Sequence, residues 1–357
     1  MPSVATSAPF DLFDQAALTD VIYRPLTTQW EDQPRLGDAI APMRSIQSRV
    51  AKLRTAQTLA FGVGQFKAPG ATPRLYKADQ TWSESIIELA LLEEMERIDS
   101  ETWLRLNSSD EVVRRAAGVD LVTRGRILAM RNERLTEWMR WKAFLDGGLT
   151  ISYEKGATDL YIDYGYAATH KVTAGTLWSD TTNADPVADM RSWSNVLAAD
   201  SGYYGVKFHM SSDTYDYLVR NSKIRAYLTA TNRSMLIPTQ SDILTLLREG
   251  SSIVLYDNGY RAEGVGTSRG IPDSLTRFLP KGKVLVTTDY VIEGLPIAET
   301  LDGQCMVSSG YNQLDIRQGP QSEVLVDPFS QNHFFRQASA RMVRINYPEC
   351  FLVATVA

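Results

Sequence analysis

The longest periodic segment of the chain, residues 110–146, reads DEVVRRAAGVDLVTRGRILAMRNERLTEWMRWKAFLD. Its apolar residues recur at spacings near three and a half residues or multiples of that: Leu121, Leu128, Leu135, Met139 and Phe144. Asp110 is a suitable N-cap, and Gly147 with Gly148 is a typical helix end. The pattern predicts a helix of about 30 residues and about 45 Å, too long for one small core to cover. Gly118 and Gly125 weaken its first half and predict a kink or break near Gly118.

The composition is that of an ordinary globular chain. Of its 357 residues, 44% are hydrophobic and 22% charged, which is enough for one large core or two modest ones. No apolar run reaches the length of a membrane span, and the first basic residue is Arg24, so we expect neither membrane insertion nor a signal peptide. The net charge of −5 argues against a protein that binds nucleic acid by bulk electrostatics, because neutralising phosphates needs clustered Lys and Arg.

Three segments precede the long helix. Residues 1–35 contain four prolines and no sustained period, which predicts an arm that cannot bury itself, or alternatively a disordered tail. Residues 36–80 have extended runs on both sides of a turn-rich stretch, which predicts a long hairpin, and residues 35–80 carry eight Lys and Arg against two Asp. Residues 81–101 carry seven Asp and Glu against one Arg and begin with a capping-box pattern, which predicts an acidic helix. Segments of opposite charge can pair within one chain or between copies.

The pattern after the long helix predicts an α+β arrangement. Residues 149–153 and 159–164 alternate apolar and polar side chains as a hairpin does, and we expect this hairpin to pack on the helix. From Asp185 onward, short helices and strands alternate, with a hairpin turn predicted at Asn258-Gly259. The last strand-like run, residues 351–356, is expected to tie the C-terminus into a sheet.

No set of residues in the chain forms a recognisable catalytic or metal-binding pattern. None of the three histidines has a second ligand or base at a useful spacing, and there is no phosphate-binding loop. Residues 266–270 match G-x-S-x-G, but Ile271-Pro272 follows where a nucleophile elbow needs a helix, so we interpret them as a turn. Cys305 and Cys350 lie in apolar contexts and are expected to be reduced core residues. We therefore expect no catalytic residue, no cofactor and no metal.

Three local runs carry a resemblance to a known family. They are RILAMRNE at residues 126–133, Phe278-Leu279-Pro280 before the strand at residues 283–286, and the terminal run at residues 351–356. Together with the order of the parts, they make the chain resemble the major capsid proteins of tailed phages, and within these the phage lambda major head protein family, often called major capsid protein E. The resemblance implies an α+β fold of the Hong Kong 97 type.

The resemblance also implies a division of the chain into an N-terminal arm, an extended loop, a peripheral domain with the long spine helix, an axial domain and returning C-terminal strands. The implied bounds are residues 1–35 for the arm, 36–102 for the extended loop with basic hairpin and acidic helix, 103–184 for the peripheral domain, 185–315 for the axial domain, and 316–357 for strands that return to the peripheral or axial sheet.

The function implied by the resemblance is structural rather than enzymatic. Proteins of this family self-assemble through pentamers and hexamers into the icosahedral head shell of a bacteriophage, which encloses double-stranded DNA without sequence-specific binding. The expected partners are further copies of the chain, a separate scaffolding protein, a portal and a decoration protein, with no membrane. The expected location is the virion, after assembly in the host cytoplasm. An encapsulin-like compartment shell and an α/β small-molecule enzyme are the alternatives, although the sequence offers no candidate set for the enzyme.

In such a shell the extended loop reaches over a neighbouring subunit, which implies a contact between the two oppositely charged segments. We expect basic residues of one copy to approach acidic residues of the next: Arg49, Lys52, Arg54 and Lys67 on the loop, and Glu88, Glu93 and Glu96 on the neighbour. The alternative is that these acidic residues form only a solvated helix face.

Overall fold

The computed structural model describes residues 15–23, 35–56, 82–151, 160–230, 238–261, 275–292, 294–308, 314–326 and 332–357. The helices are α1 (Gln15–Tyr23), α2 (Leu36–Ile40), α3 (Ser100–Leu106), α4 (Glu111–Asp146), α5 (Pro186–Ser201), α6 (Ser212–Arg220), α7 (Ser222–Ala230) and α8 (Gln240–Thr245), with short 3-10 helices at Ala168–His170 and Pro348–Cys350. The strands are β1 (Met43–Ser45), β2 (Val50–Ala56), β3 (Trp82–Glu88), β4 (Ala90–Ile98), β5 (Gly148–Ile151), β6 (Leu160–Asp163), β7 (Lys171–Thr173), β8 (Lys207–Met210), β9 (Ser252–Leu255), β10 (Gly259–Tyr260), β11 (Thr276–Arg277), β12 (Lys283–Thr287), β13 (Val291–Ile292), β14 (Leu295–Pro296), β15 (Ala298–Asp302), β16 (Gln304–Ser308), β17 (Leu314–Gln318), β18 (Gln321–Val326), β19 (His333–Ile345) and β20 (Phe351–Thr355).

The predicted long helix is confirmed as α4, which has 36 residues. The Asp110 side chain accepts a hydrogen bond from the Val112 N–H at 2.8 Å, and Gly147 ends the helix with a left-handed φ of 60°. The predicted break near Gly118 is wrong, since the helix continues through both of its glycines. At Gly125, a Cβ would lie 2.6 Å from Cζ of Phe335. That glycine therefore allows another element to pack closely, and it does not end the helix.

Helix α4 packs on a mixed five-stranded sheet. Four strands follow the order β1-β15-β19-β18, and β4 pairs with the other side of β19. The long strand β19 is the centre of the sheet because it pairs with β15, β18 and β4 along its length. Apolar side chains from α1, α4 and β19 form a core between helix and sheet. We use the name peripheral sheet for these five strands, β1, β4, β15, β18 and β19; the predicted domain bounds stay a prediction.

Part of the predicted arm packs against the body of its own chain, which corrects the expectation that residues 1–35 cannot bury themselves. Helix α1 buries Leu18 and Ile22 completely. It also covers the outer edge of β18, where the Ser322 N–H donates to Thr19 Oγ1 at 3.0 Å. Such a short helix is not stable alone. It is stabilised here by packing its apolar side chains against α4 and by covering the edge of β18. Residues 1–14 and 24–34 lie outside the described residues.

The prediction of an acidic helix within residues 81–101 is wrong for most of that segment. Residues 82–98 form strands β3 and β4, and only α3 is helical. Strong helix formers such as Leu, Glu and Met dominate β4, but nine register pairs with β19 and burial of alternate side chains override that propensity. β3 pairs with β2 over seven residues, so the base of the predicted hairpin is present, while residues 57–81 lie outside the described residues.

The second half of the chain forms a second sheet of order β7-β20-β12-β8-β9. The expected C-terminal strand is confirmed as β20, which pairs antiparallel with β12 and parallel with β7. The hairpin after the long helix is confirmed as β5 and β6. The prediction of a hairpin turn at Asn258-Gly259 is wrong, because Gly259 itself belongs to β10 and pairs with Arg277 of β11.

Candidate assembly surface

The base of the basic hairpin lies against the peripheral sheet. Arg344 of β19 donates from Nη1 to the carbonyl of Lys52 at 3.5 Å. Arg49 and Glu88 lie 3.7 Å apart within the same chain, and the Glu88 side chain is 69% exposed. Arg54 stands opposite Glu84 in the β2–β3 register. Lys67 lies outside the described residues.

Two of the predicted acidic contact residues already have cationic partners in their own chain. Glu93 accepts a hydrogen bond from Arg336, which also donates to Glu323. Glu96 lies 3.6 Å from Arg124 of α4. The structure thus brings Glu93 and Glu96 to β4 but balances their charges locally, whereas Glu88 is mostly open to solvent. The contact between copies stays a prediction.

A buried ion cluster joins α4 to the peripheral sheet. Glu133 of α4 lies 2.7 Å from Arg341 of β19 and 2.5 Å from Arg35. Burial by itself would raise the pKa of Glu133, but the two guanidinium groups outweigh burial and lower it. Asp302 lies 3.6 Å from the same Arg341, yet burial dominates there and raises its pKa to about 6. The first carboxylate is held ionised and the second titrates in a mildly acidic range.

A second buried carboxylate, Glu137, fixes α2 to the spine. It accepts hydrogen bonds from the Gly37 N–H at 2.9 Å, from Trp141 Nε1 at 2.8 Å and from the Tyr256 hydroxyl at 2.8 Å. One helical turn further on, Arg140 lies 2.5 Å from Asp38 of α2. These bonds fix the position of the chain just before it enters the hairpin.

Sequence reasoning missed this cluster. A signal was present, because Glu133, Glu137 and Arg140 are spaced so that they are neighbours on one side of a helix otherwise rich in core residues. Charged residues at such positions need buried partners. Glu137 and Arg140 also pair with each other at 3.2 Å within the helix. The partners on other elements, however, are far away in sequence, 98 residues for Arg35 with Glu133 and 208 residues for Glu133 with Arg341.

The described residues contain no candidate metal site. They contain no group of three His, Cys, Asp or Glu side chains able to hold a metal ion, and none of their helices is long and apolar enough to cross a membrane. His209 is buried and bonds Thr287 at 3.1 Å, and burial lowers its pKa to about 3. Cys305 and Cys350 are buried and free, as predicted. The G-x-S-x-G run at residues 266–270 lies outside the described residues.

Comparison with solved structures identifies the class of fold. A phage-related protein from Bordetella bronchiseptica RB50 matches with a TM-score of 0.58 and 15% identity, covering 98% of each chain. A candidate capsid protein of a prophage from Escherichia coli CFT073 matches with a TM-score of 0.59 and 14% identity, covering 98% of this chain and 100% of the other. The capsid of an empty GTA particle matches with a TM-score of 0.50 and 13% identity over 92% of each chain. The fold is the Hong Kong 97-type fold of phage capsid proteins, which confirms the predicted fold class.

The family follows from the sequence itself. A family model described as phage major capsid protein E matches residues 87–302, which is more than half of the chain. The chain belongs to this family, and its role is that of a capsid shell protein. No curated protein matches the sequence significantly. The predicted resemblance is confirmed, and the family implies a structural role rather than an enzymatic one.

Proposed function

We propose that this chain assembles through pentamers and hexamers into the icosahedral head shell of a tailed bacteriophage, and that the shell encloses double-stranded DNA. The match of residues 87–302 to the phage major capsid protein family carries the proposal. A separate scaffolding protein, a portal and a decoration protein complete the head. Assembly takes place in the host cytoplasm and the product is the virion.

The charge balance supports enclosure of DNA without sequence-specific binding. The chain has a net charge of −5, so it lacks the excess of Lys and Arg that proteins use to neutralise phosphates. Many of the described arginines are also engaged with carboxylates of the same chain, such as Arg124 with Glu96 and Arg336 with Glu323. The DNA is therefore held by closure of the shell and not by a basic inner surface.

The basic hairpin supplies one contact between copies. Arg49, Lys52, Arg54 and Lys67 of one copy face the acidic residues Glu88, Glu93 and Glu96 of the next. Glu88 is the strongest acidic candidate because its side chain is the most exposed of the three and its bond to Arg49 is long, at 3.7 Å. A surface ion pair of that length contributes little to the stability of a subunit. Glu88 can therefore exchange Arg49 of its own chain for a cation of another copy at little cost in free energy.

The contents of purified particles test the function. Particles isolated from a culture that produces the complete phage are treated with nuclease, and their nucleic acid and protein are then extracted. The proposal expects protected double-stranded DNA of phage length. A particle that contains a cargo protein and no DNA would instead identify an encapsulin-like compartment and overturn the proposal.

A further inference from the structure

Among the residues that the structure describes, none pairs with the outer side of strand β4, which makes β4 an edge of the peripheral sheet. Its strand partner within the described ranges is β19. The other long edge strand, β18, is covered by α1 through the bond from Ser322 to Thr19. Across the described ranges, no backbone hydrogen bond reaches the outer side of β4. A strand edge left open in this way is a template for pairing with another chain.

The register identifies the backbone groups that point outward. Gly303 donates its N–H to the carbonyl of Ala340, so even-numbered residues of β19 direct their backbone groups toward β15. Odd-numbered residues of β19 therefore face β4, where their partners are the even-numbered residues from Ala90 to Ile98. Four residues remain with N–H and C=O groups directed away from the sheet: Leu91, Glu93, Met95 and Arg97.

The side chains of these four residues are exposed as well. Leu91 is 40% and Met95 58% exposed, and Glu93 and Arg97 are also exposed residues. Apolar side chains next to unpaired backbone groups are what natural edge strands usually avoid. Glu93 and Arg97 supply the charges that usually protect an edge, but Leu91 and Met95 leave apolar surface there that a strand of another copy would cover.

The edge is complementary to itself. If two copies of β4 pair antiparallel about Met95, Glu93 stands opposite Arg97 of the partner subunit, and Arg97 stands opposite Glu93 of the partner subunit. Met95 then meets Met95 of the partner subunit at the centre. Within its own chain Glu93 accepts a hydrogen bond from Arg336, and Arg97 donates to Asn332 at 2.6 Å. Both side chains remain exposed, so a charge pair across the contact adds to these bonds. Opposite charges and apolar residues facing each other across strands stabilise pairing. The pairing also obeys the two-fold symmetry that most contacts between identical subunits have.

The even-numbered residues of β4, whose backbone groups pair with β19, do not oppose this pairing. Glu94 would stand opposite Glu96 of the partner subunit, and two free carboxylates there would repel. Each is already bridged to α4 of its own chain, however, Glu94 to Arg131 at 3.0 Å and Glu96 to Arg124 at 3.6 Å. The repulsion is thereby reduced before the copies meet.

The long helices leave room for the contact. Helix α4 packs on β19, one strand inward from the edge. It meets β4 through the ion pairs of Arg124 and Arg131 and shares a buried cluster with Ile98 of β4. Three strand spacings of about 4.8 Å separate β19 from its counterpart in the second copy, or about 14 Å in total. Two helices need only about 8 to 10 Å between their axes, so the spines lie side by side without collision.

From this geometry we propose that β4 forms a two-fold contact between copies of the chain, an antiparallel strand pair centred on Met95. The contact rests on the proposed shell function, to which it adds a defined interface. It joins the peripheral sheets of two subunits into one continuous sheet.

A cysteine at the centre of the contact tests the register. In a hydrogen-bonded antiparallel pair the two Cα atoms lie about 5.5 Å apart, within the range that a disulfide spans. Met95→Cys should therefore give covalent dimers under mild oxidation. Leu91→Cys is the matched control, since it is also exposed on the same edge but lies eight register positions, about 26 Å, from its own copy in the partner. The native cysteines are buried and are not expected to react.

The result is read on a non-reducing gel and by electron microscopy of the same sample. The proposal expects the Met95→Cys dimer to exceed the Leu91→Cys dimer clearly. Equal dimer yields from the two variants overturn the β4 contact, whether or not particles form. Dimers without particles support the contact and count against the proposed shell function, so the two failures are distinguishable.

Charge exchange at the flanks provides a second measurement. Both changes are made in the Met95→Cys background. With Arg97→Glu, both pairs between positions 93 and 97 of the two copies consist of two glutamates. With Glu93→Arg, both pairs consist of two arginines. Each change alone should lower dimer yield about tenfold, because like charges directly opposite are destabilising. Mixing the two variants restores opposite charges at both flanks and should restore the yield. A mixture no better than its components would contradict the assignment of Glu93 and Arg97 as partners.

Discussion

Arg341 of β19 and Glu133 of α4 form a buried ion pair of 2.7 Å that joins the centre of the peripheral sheet to the spine helix. Both side chains are close to fully buried, with 1% of Arg341 and 11% of Glu133 exposed. Arg341 also donates to Thr136 at 2.9 Å. A pair in this position keeps the helix and sheet in one register, and neither partner can be removed without leaving a charge in the core.

Removal of the Arg341 guanidinium should destabilise the fold strongly. Arg341→Met leaves Glu133 buried and loses one of its two cations, at a cost of about 3 to 5 kcal/mol. Arg115→Met is the control, because Arg115 pairs with Glu111 at the exposed start of α4, the helix that carries Glu133. That change should cost less than about 0.5 kcal/mol. Urea unfolding followed by tryptophan fluorescence measures both, and equal midpoints would refute the role given to Arg341.

Stability should fall as pH rises through the titration of Asp302. Burial raises the pKa of this carboxyl to about 6, above its value in the unfolded chain of about 3.9. The folded state therefore binds the proton more tightly, and the stabilisation is complete below about pH 4 and lost as pH rises through about 6. Asp302→Asn should flatten the pH dependence in this window. An unchanged slope between pH 4 and 6 in that variant would rule out Asp302 as its source.

Two glycines should respond to alanine with opposite signs. A Cβ at Gly37 would lie 2.4 Å from Glu137 Oε2, so Gly37→Ala must displace the buried carboxylate that holds α2. We expect it to cost about 1 to 3 kcal/mol. Gly118→Ala meets nothing within 4 Å on the spine helix and should stabilise it by about 0.5 to 1 kcal/mol. Thermal melts of both variants check this, and a stabilising Gly37→Ala would contradict the packing described.

Charge reversal in the basic hairpin should impair assembly and leave the subunit fold intact. Arg54→Glu with Lys67→Glu replaces attraction to the acidic residues of a neighbour by repulsion. The double change Arg114→Glu with Arg134→Glu, at two exposed arginines of α4, is a control for the change in net charge. Particle yields are compared by sedimentation. Normal particles from the hairpin variant would remove the proposed contact.

The elements that the sequence predicted well are those whose pattern is local. The spine helix has its own cap, period and terminating glycine, and the Phe351–Thr355 strand is an apolar β-rich run. The prediction for residues 90–98 was wrong because these residues favour a helix in isolation, and their pairing with β19 makes them a strand. No local pattern contains that partner, which lies more than 200 residues further along the chain.

The candidate assembly surface was predicted less completely, again because the partners of its residues are distant in sequence. The opposite charges of the hairpin and of β4 are visible in sequence, but the partners of Glu93 and Glu96 are Arg336 and Arg124, which only the fold brings near. The self-complementary spacing of Glu93, Met95 and Arg97 becomes meaningful once β4 is known to be an edge strand. A helix would place these three residues on different faces.

Sedimentation velocity with electron microscopy of the purified protein, over a range of concentrations and salt, tests most directly whether this chain is built to assemble. Closed shells, or pentamers and hexamers that grow into them as concentration rises, are the predicted result. A compact single subunit at every concentration and ionic strength would contradict it.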